Sequence, residues 1–319
     1  MRTIEFFAGI GGLSAACPWL ERVASIDIDR DAKRVFEKNF TTPYFLRELE
    51  SIRTEWLARF QASLWWLSPP CTPYSRRGHQ RDIDDPRSRS LQHLVDCAAQ
   101  VQPNTLFIEN VVGFEQSRMF EAIQQRWTNV GYEVAYAIHC PSRMGWPNTR
   151  PRVYVMSSKD PALVARWRED MSRYEACKRD EIPTLRELLE TDIDRSSHPF
   201  LWLHESIVIQ YEKAIDTVDP NEANAVSACF ASSYGKVVAR AGSYLRMEQG
   251  YRRFTPREVA SLLGFPLSFQ FPEDLSTRRL WHLLGNSLSL PAVRRCMQFS
   301  RPDAENDGAN ARKETWEKP

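Results

Sequence analysis

The chain has 319 residues, 42 basic against 41 acidic side chains (formal net charge +1), and is 42% hydrophobic and 26% charged. This composition suits a globular protein of about two domains, at ~100–200 residues each, and a balanced total neither selects nor excludes a nucleic-acid partner, because local patches matter more. Seven scattered cysteines without a CxxC pair argue against a disulfide framework or a cysteine-rich zinc site, and no apolar run reaches the ~18 residues of a membrane span.

Met1-Arg2-Thr3-Ile4 runs straight into a strand-like segment, so no secretory leader is expected and the setting is read as reducing and cytoplasmic. Ile4 to Ala8 reads as a buried strand, and Gly9-Ile10-Gly11-Gly12 turns into a helix from Leu13. Strands are predicted at Arg22 to Ile28, Leu64 to Leu67, Thr105 to Ile108, Glu133 to His139 and Arg152 to Ser157. Helices are predicted at Asp31 to Asn39, Leu91 to Val101, Met119 to Val130 and Pro291 to Phe299. Alternating strands and helices imply an α/β protein with a largely parallel sheet. After residue 158 the chain becomes charge-rich with weak strand signals. The expected layout is a domain over 1–157, a smaller one over 158–277, a return over 278–300, and a polar, disordered tail over 301–319.

Three segments carry chemistry. Phe6-Phe7-Ala8-Gly9-Ile10-Gly11-Gly12 is a strand, a glycine turn and a helix start, which lets backbone approach a ligand closely. By itself it also fits a dinucleotide site or a plain tight turn. Asp27, at the end of the next strand, is placed to accept from a ribose diol. Ser68-Pro69-Pro70-Cys71-Thr72-Pro73 follows an apolar strand, and its prolines stiffen a loop that presents a thiol. A lone cysteine after a strand is usually structural; the frame around Cys71 reverses that preference. Glu109, in Phe107-Ile108-Glu109-Asn110-Val111, ends a third strand, where an ordinary salt-bridged glutamate is the bland reading.

Together the three fit one reaction. Carbon 5 of cytosine is a poor nucleophile until a thiolate adds to carbon 6, and a carboxylic acid at N3 stabilises the ring as the adduct forms. A glutamate in a dry pocket has its pKa raised, which suits proton donation.

The sequence resembles the DNA cytosine-5 methyltransferase family. Phe7 to Gly12 is similar to its cofactor loop, Pro69-Pro70-Cys71 to its catalytic loop, Glu109-Asn110-Val111 to its ENV motif, Thr149-Arg150-Pro151-Arg152 to its paired-arginine motif, and Gly285-Asn286-Ser287 to its last motif. These stand in the family's order over residues 4 to about 297. Ala228 to Gly235, Gly242 to Leu245, Arg253 to Glu258, Leu262 to Pro266 and Pro147-Asn148-Thr149-Arg150 resemble the tRNA-aspartate branch. Two positions depart from it: Ala231 stands where that branch has Thr, and Thr72 where Gln is usual.

The resemblance implies a Rossmann-like methyltransferase fold with a small recognition domain, S-adenosylmethionine as cofactor, and base flipping. It implies Cys71 as nucleophile, Glu109 as the N3 partner, and Arg150 and Arg152 holding the cytosine. The cofactor set is Phe7 (packing on adenine), Ala8, Gly9, Ile10, Gly11, Gly12, Asp27 (ribose), Ile28, Glu48 (adenine edge), Pro70, Asn286 and Ser287. Arg76, Arg77, Arg81 and Arg87 are candidate phosphate contacts, each weighed against a mixed-charge solvated loop. The ten tryptophans read as core, the other six cysteines as structural, and no metal is assigned. The expected partner is a nucleic acid, tRNA (an anticodon-loop cytosine) ahead of DNA, with no membrane and a monomeric chain. A short recognition region favours RNA, the two departures keep DNA open, and a catalytically idle nucleic-acid binder is the reading from another class.

Overall fold

The computed structural model describes residues 1–74, 81–173 and 182–302. Arg76, Arg77, Cys177 and nearly all of the expected tail lie outside them. The chain divides into two compact units. The first comprises 1–139, 151–174 and 292–308; the second comprises 140–150, 175–291 and 309–319. The division differs from the expected one: residues 140–150 fall in the second unit, residues 158–174 stay with the first, and the return begins at Ala292 rather than at 278.

The first unit is built on β1 (Arg2–Phe6), α1 (Gly12–Ala16), β2 (Glu21–Asp27), α2 (Arg30–Asn39), β3 (Tyr44–Leu46), α3 (Thr54–Ala58), β4 (Leu64–Leu67), α4 (Arg89–Val101), β5 (Thr105–Val111), α5 (Arg118–Thr128), β6 (Glu133–His139), β7 (Arg152–Ser158) and α6 (Pro161–Ser172). Among the described residues its sheet has the order β3-β2-β1-β4-β5-β7-β6. Pairs from β3 through β5 are parallel, and β7 runs antiparallel to both β5 and β6. Parallel strands are covered on both faces and so read as continuous apolar runs. Accordingly Leu64-Trp65-Trp66-Leu67 is wholly buried, and both tryptophans are core as expected. Edge strand β6 instead mixes exposed and covered positions.

Placement of α6 corrects the reading of the chain after residue 158. Asp160 caps it through the amides of Ala162 and Leu163, Pro161 opens it, and Val164, Trp167 and Met171 form its buried stripe. The Trp167 indole donates to the Cys296 carbonyl at 2.9 Å.

The order of strands places the chemistry. The chain runs β1, β2, β3 outward on one side, then returns to lay β4 and β5 on the other. Between β1 and β4 the direction of winding reverses, and in open α/β sheets ligands sit at the carboxyl ends beside such a reversal. Phe6 aligns with Leu67 on β4, and Leu67 with Ile108 on β5. The segments at Phe7, Ser68 and Glu109 therefore meet at one edge. The antiparallel β7 begins there too, with Arg152 opposite Val111.

The second unit holds α7 (Glu205–Gln210), β8 (Asp216–Val218), β9 (Ser243–Met247), β10 (Gly250–Arg252), α8 (Pro256–Leu262) and α9 (Thr277–Gly285). β9 is the centre of a small sheet, parallel to β8 and antiparallel to β10. Its interior carries a fully buried ion pair, Arg252 with Glu258, whose carboxylate also closes a capping box with Thr255. α10 (Leu290–Cys296) takes the chain back to the first unit. No helix among the described residues is long and apolar enough to cross a membrane.

Candidate active site

The glycine turn after β1 is held from both ends. Phe7 leaves the strand at φ 54, a strained value for a residue with a side chain. Gly9 follows at φ +52, and a Cβ there would meet nothing within 4 Å, so the turn is open where a ligand would lie. At Gly11 a Cβ would come within 2.5 Å of the Phe40 ring, so only glycine fits. The Gly9 amide donates to Asp27 Oδ2 at 2.8 Å, and the amides of Ile28 and Asp29 donate to Oδ1 at 2.7 and 2.9 Å. Burial raises the Asp27 pKa against these bonds. Asp27 thus anchors the turn as well as standing at the carboxyl end of β2. Ile28 beside it is 64% exposed, a large apolar surface at the rim. Glu48 is exposed, two residues beyond Leu46, which pairs with Asp27. Ala8, Ile10 and Gly12 are buried, and Phe7 is half-buried.

The loop after β4 presents an exposed Cys71. Pro69 is buried, and its carbonyl accepts from the side-chain Nδ2 of Asn110, itself fully covered, at 3.3 Å; Pro70 is exposed. Beyond Cys71 the loop is closed at its stem. The Asp82 amide donates to the Pro73 carbonyl at 3.3 Å, and the Tyr74 and Ser88 hydroxyls are 3.0 Å apart. Asp82 takes a strained φ of 54, and its carboxylate receives the amides of Arg118 and Met119 at the start of α5. Arg87 pairs in two-pronged fashion with the buried Asp85, at 2.9 and 2.7 Å, and lies within electrostatic range of Cys71. Arg81 is exposed.

Glu109 lies at the end of β5, and Arg152 Nε is 3.2 Å from its Oε1. The guanidinium of Arg152 thus faces the buried glutamate.

Arg150, expected to hold the cytosine, has its contacts within one unit. It belongs to the second unit and is 3% exposed. Its Nη1 donates to Cys229 Sγ and the Phe230 carbonyl, both at 3.3 Å. Its Nη2 donates to the Gly285 carbonyl at 3.2 Å and to the Ser287 carbonyl. Its terminal donors are occupied by this unit's own chain, while its buried Nε has no hydrogen-bond partner. Asn148 works alongside, donating to the Ser227 hydroxyl and the Ala228 carbonyl. Ser287 is buried and Asn286 exposed, both in the second unit.

The sequence reading missed three residues that the structure brings forward. Asn110 holds the loop of the nucleophile, Asp85 aims Arg87, and Glu5 lies sealed on β1 behind the glycine turn. The last had a signal, a carboxylate inside the apolar run Ile4-Glu5-Phe6-Phe7.

Residues 1–298 match the family of C-5 cytosine-specific DNA methylases. The chain belongs to that family. Its members use S-adenosylmethionine as methyl donor, and the open turn at Gly9, the carboxylate at Asp27 and the apolar rim at Ile28 fit that group. A tRNA (cytosine(38)-C(5))-methyltransferase of Schizosaccharomyces pombe is 30% identical, over 92% of this chain and 94% of its own length. One of Bos taurus is 26% identical, over 94% and 98%. The solved structure of the S. pombe Dnmt2 methyltransferase superposes with a TM-score of 0.81 at 28% identity, covering 94% of this chain and 98% of that one. The fold is therefore that of the cofactor-dependent cytosine-5 methylases.

Proposed function

We propose that this chain methylates carbon 5 of an anticodon-loop cytosine in tRNA, with Cys71 as nucleophile. The observation that carries the reading is the alignment Phe6, Leu67, Ile108 across three strands, which sets the glycine turn, the exposed thiol and the Glu109–Arg152 pair at one sheet edge. The Cys71 thiolate adds to carbon 6, and Glu109 holds a proton at N3 so that the electron pair collects at carbon 5. Bound S-adenosylmethionine supplies an electrophilic methyl group there. Loss of the carbon-5 proton and expulsion of the thiolate then restore the ring double bond. Arg152 fixes the orientation of the Glu109 carboxylate, Asn110 and Pro69 fix the loop that carries the thiol, and Asp27, Gly9 and Ile28 hold the cofactor. Thiol addition needs an unstacked base, which a single-stranded loop offers at small cost.

Relatives with tRNA cytosine 38 in their names match nearly full length, which favours RNA over DNA. The proposal includes a monomer in a reducing cytoplasm, in keeping with described cysteines that form no disulfide with one another. Transfer of labelled methyl to total tRNA, with unmethylated duplex DNA in parallel, tests it. Label in tRNA, abolished by Cys71→Ala, is the expected outcome. Label in DNA alone would overturn the substrate while keeping the chemistry, and full activity of Cys71→Ala would overturn the mechanism.

A further inference from the structure

Behind the cofactor turn lies a carboxylate that the reaction does not use. Glu5, on β1, is 1% exposed. Its Oε1 accepts from the Leu13 amide at 3.1 Å and its Oε2 from the Ser14 hydroxyl at 2.9 Å. At the other end of the same turn the Gly9 amide is held by Asp27, and the Tyr44 hydroxyl donates to the Gly9 carbonyl at 3.2 Å. The segment from Gly9 to Ser14 is thus strung between two carboxylates, one at the rim and one sealed inside.

Two donors replace only part of what water gives an ionised carboxylate. Burial pushes Glu5 up to about 7, against the bond from Ser14, the charge of Arg22 and the bond from Leu13. The charged and titratable groups facing it are Arg22 and Asp27 on β2 and Tyr44 on β3. Arg22 is committed elsewhere, donating to the carbonyls of Ser14 and Cys17. When ionised, Glu5 accepts from both Leu13 and Ser14. When protonated, one oxygen becomes a donor facing a hydroxyl that was itself donating, and the negative charge opposite the turn is gone.

We propose that Glu5 is a positioning residue for cofactor binding: its ionised carboxylate holds Leu13 and Ser14, and with them the Gly9–Gly12 turn, in the conformation that takes the adenosyl cofactor. The inference rests on the turn being the cofactor site and adds what sets its affinity. The competent fraction is the ionised fraction, and apparent affinity scales with it.

The test is calorimetric titration of the full chain with S-adenosylhomocysteine from pH 5.5 to 8.5. Wild type should gain about tenfold in affinity between pH 6 and pH 8, the change in ionised fraction of a group titrating near 7. Glu5→Gln should lose that rise and bind as weakly at pH 8 as wild type does at low pH. Ser14→Ala removes one hydroxyl and leaves Glu5 in place, so it keeps the test open if the glutamine variant folds poorly. Without that bond the inflection should move to higher pH. A Glu5→Gln profile identical to wild type, or an unmoved inflection in Ser14→Ala, overturns the proposal. Absence of binding by wild type at every pH would instead take down the cofactor reading itself, a result distinct from a flat profile.

Discussion

Arg152 and Glu109 form a diagonal pair across the antiparallel strands β5 and β7: Arg152 lies opposite Val111, one same-face position beyond Glu109, and its Nε reaches the carboxylate at 3.2 Å. Both side chains are largely covered, 14% and 9% exposed. A pair so enclosed is directional, and removing the cation leaves a carboxylate with the wrong orientation for a ring nitrogen. Arg152→Ala and Glu109→Gln should each lower kcat by about 10²–10⁴-fold, the usual worth of a positioned proton-transfer group. The double variant should fall little further, because the two act as one unit. Single-turnover methyl transfer reads this; additive losses would separate their roles.

Arg150 should behave otherwise. It binds four acceptors from two stretches of the second unit, and lysine cannot span them. Arg150→Ala strands buried carbonyls, so it should cost about 2–4 kcal/mol of stability. Arg152→Ala strands only the Glu109 carboxylate, so it should cost less stability than Arg150→Ala, with its main effect on catalysis. Denaturant unfolding of both variants decides it. A stable Arg150→Ala protein with crippled cytosine chemistry would return Arg150 to the catalytic set.

The Arg252–Glu258 pair gives a sharper stability test. Nη1 and Nη2 each approach a carboxylate oxygen at 2.8 Å, and Glu258 also receives the amides of Thr255 and Glu190. Removing one partner strands a buried charge, so Glu258→Ala should cost about 3–5 kcal/mol. Arg252→Met with Glu258→Leu should recover much of that loss, since apolar replacement of both partners removes the desolvation cost. Thermal unfolding of the single and double variants checks the order.

Legibility followed burial. β4 stood out because a parallel strand covered on both faces is an unbroken apolar run, β1, β2 and β5 showed through shorter apolar stretches, and the motifs sat at the carboxyl ends of these strands. β3, three residues long, and α3, five, were too short to show a period. α6 was legible in principle: Asp160-Pro161 is a helix start and Val164, Trp167 and Met171 keep helical spacing, but dense charge masked the stripe. In the site, motif order located Cys71 and Glu109. It gave both arginines one role; in the structure Arg152 faces Glu109, and Arg150 donates to the carbonyls of Phe230, Gly285 and Ser287. Asn110 and Glu5 act through backbone amides and carbonyls, and no spacing in a single sequence reports such contacts.

Glu5 also makes a prediction about the apo protein that runs opposite to its effect on binding. Its folded pKa, about 7, lies above the unfolded value of 4.5. Such a group contributes stability that is fully present below pH 4.5 and lost as pH rises through 7, because the unfolded chain releases its proton first. The swing is at most ~3 kcal/mol for this interval. Glu5→Gln, neutral throughout, should escape the loss. The variant should therefore match wild type near pH 4.5 and exceed it in unfolding free energy by up to ~3 kcal/mol at pH 8, with no cofactor present. A difference that does not grow with pH, or a variant less stable than wild type at pH 8, would mean that the buried carboxylate is better satisfied by Leu13, Ser14 and Arg22 than its surroundings imply. The growing difference would mean that the fold gives up stability at neutral pH to keep a charge behind the turn.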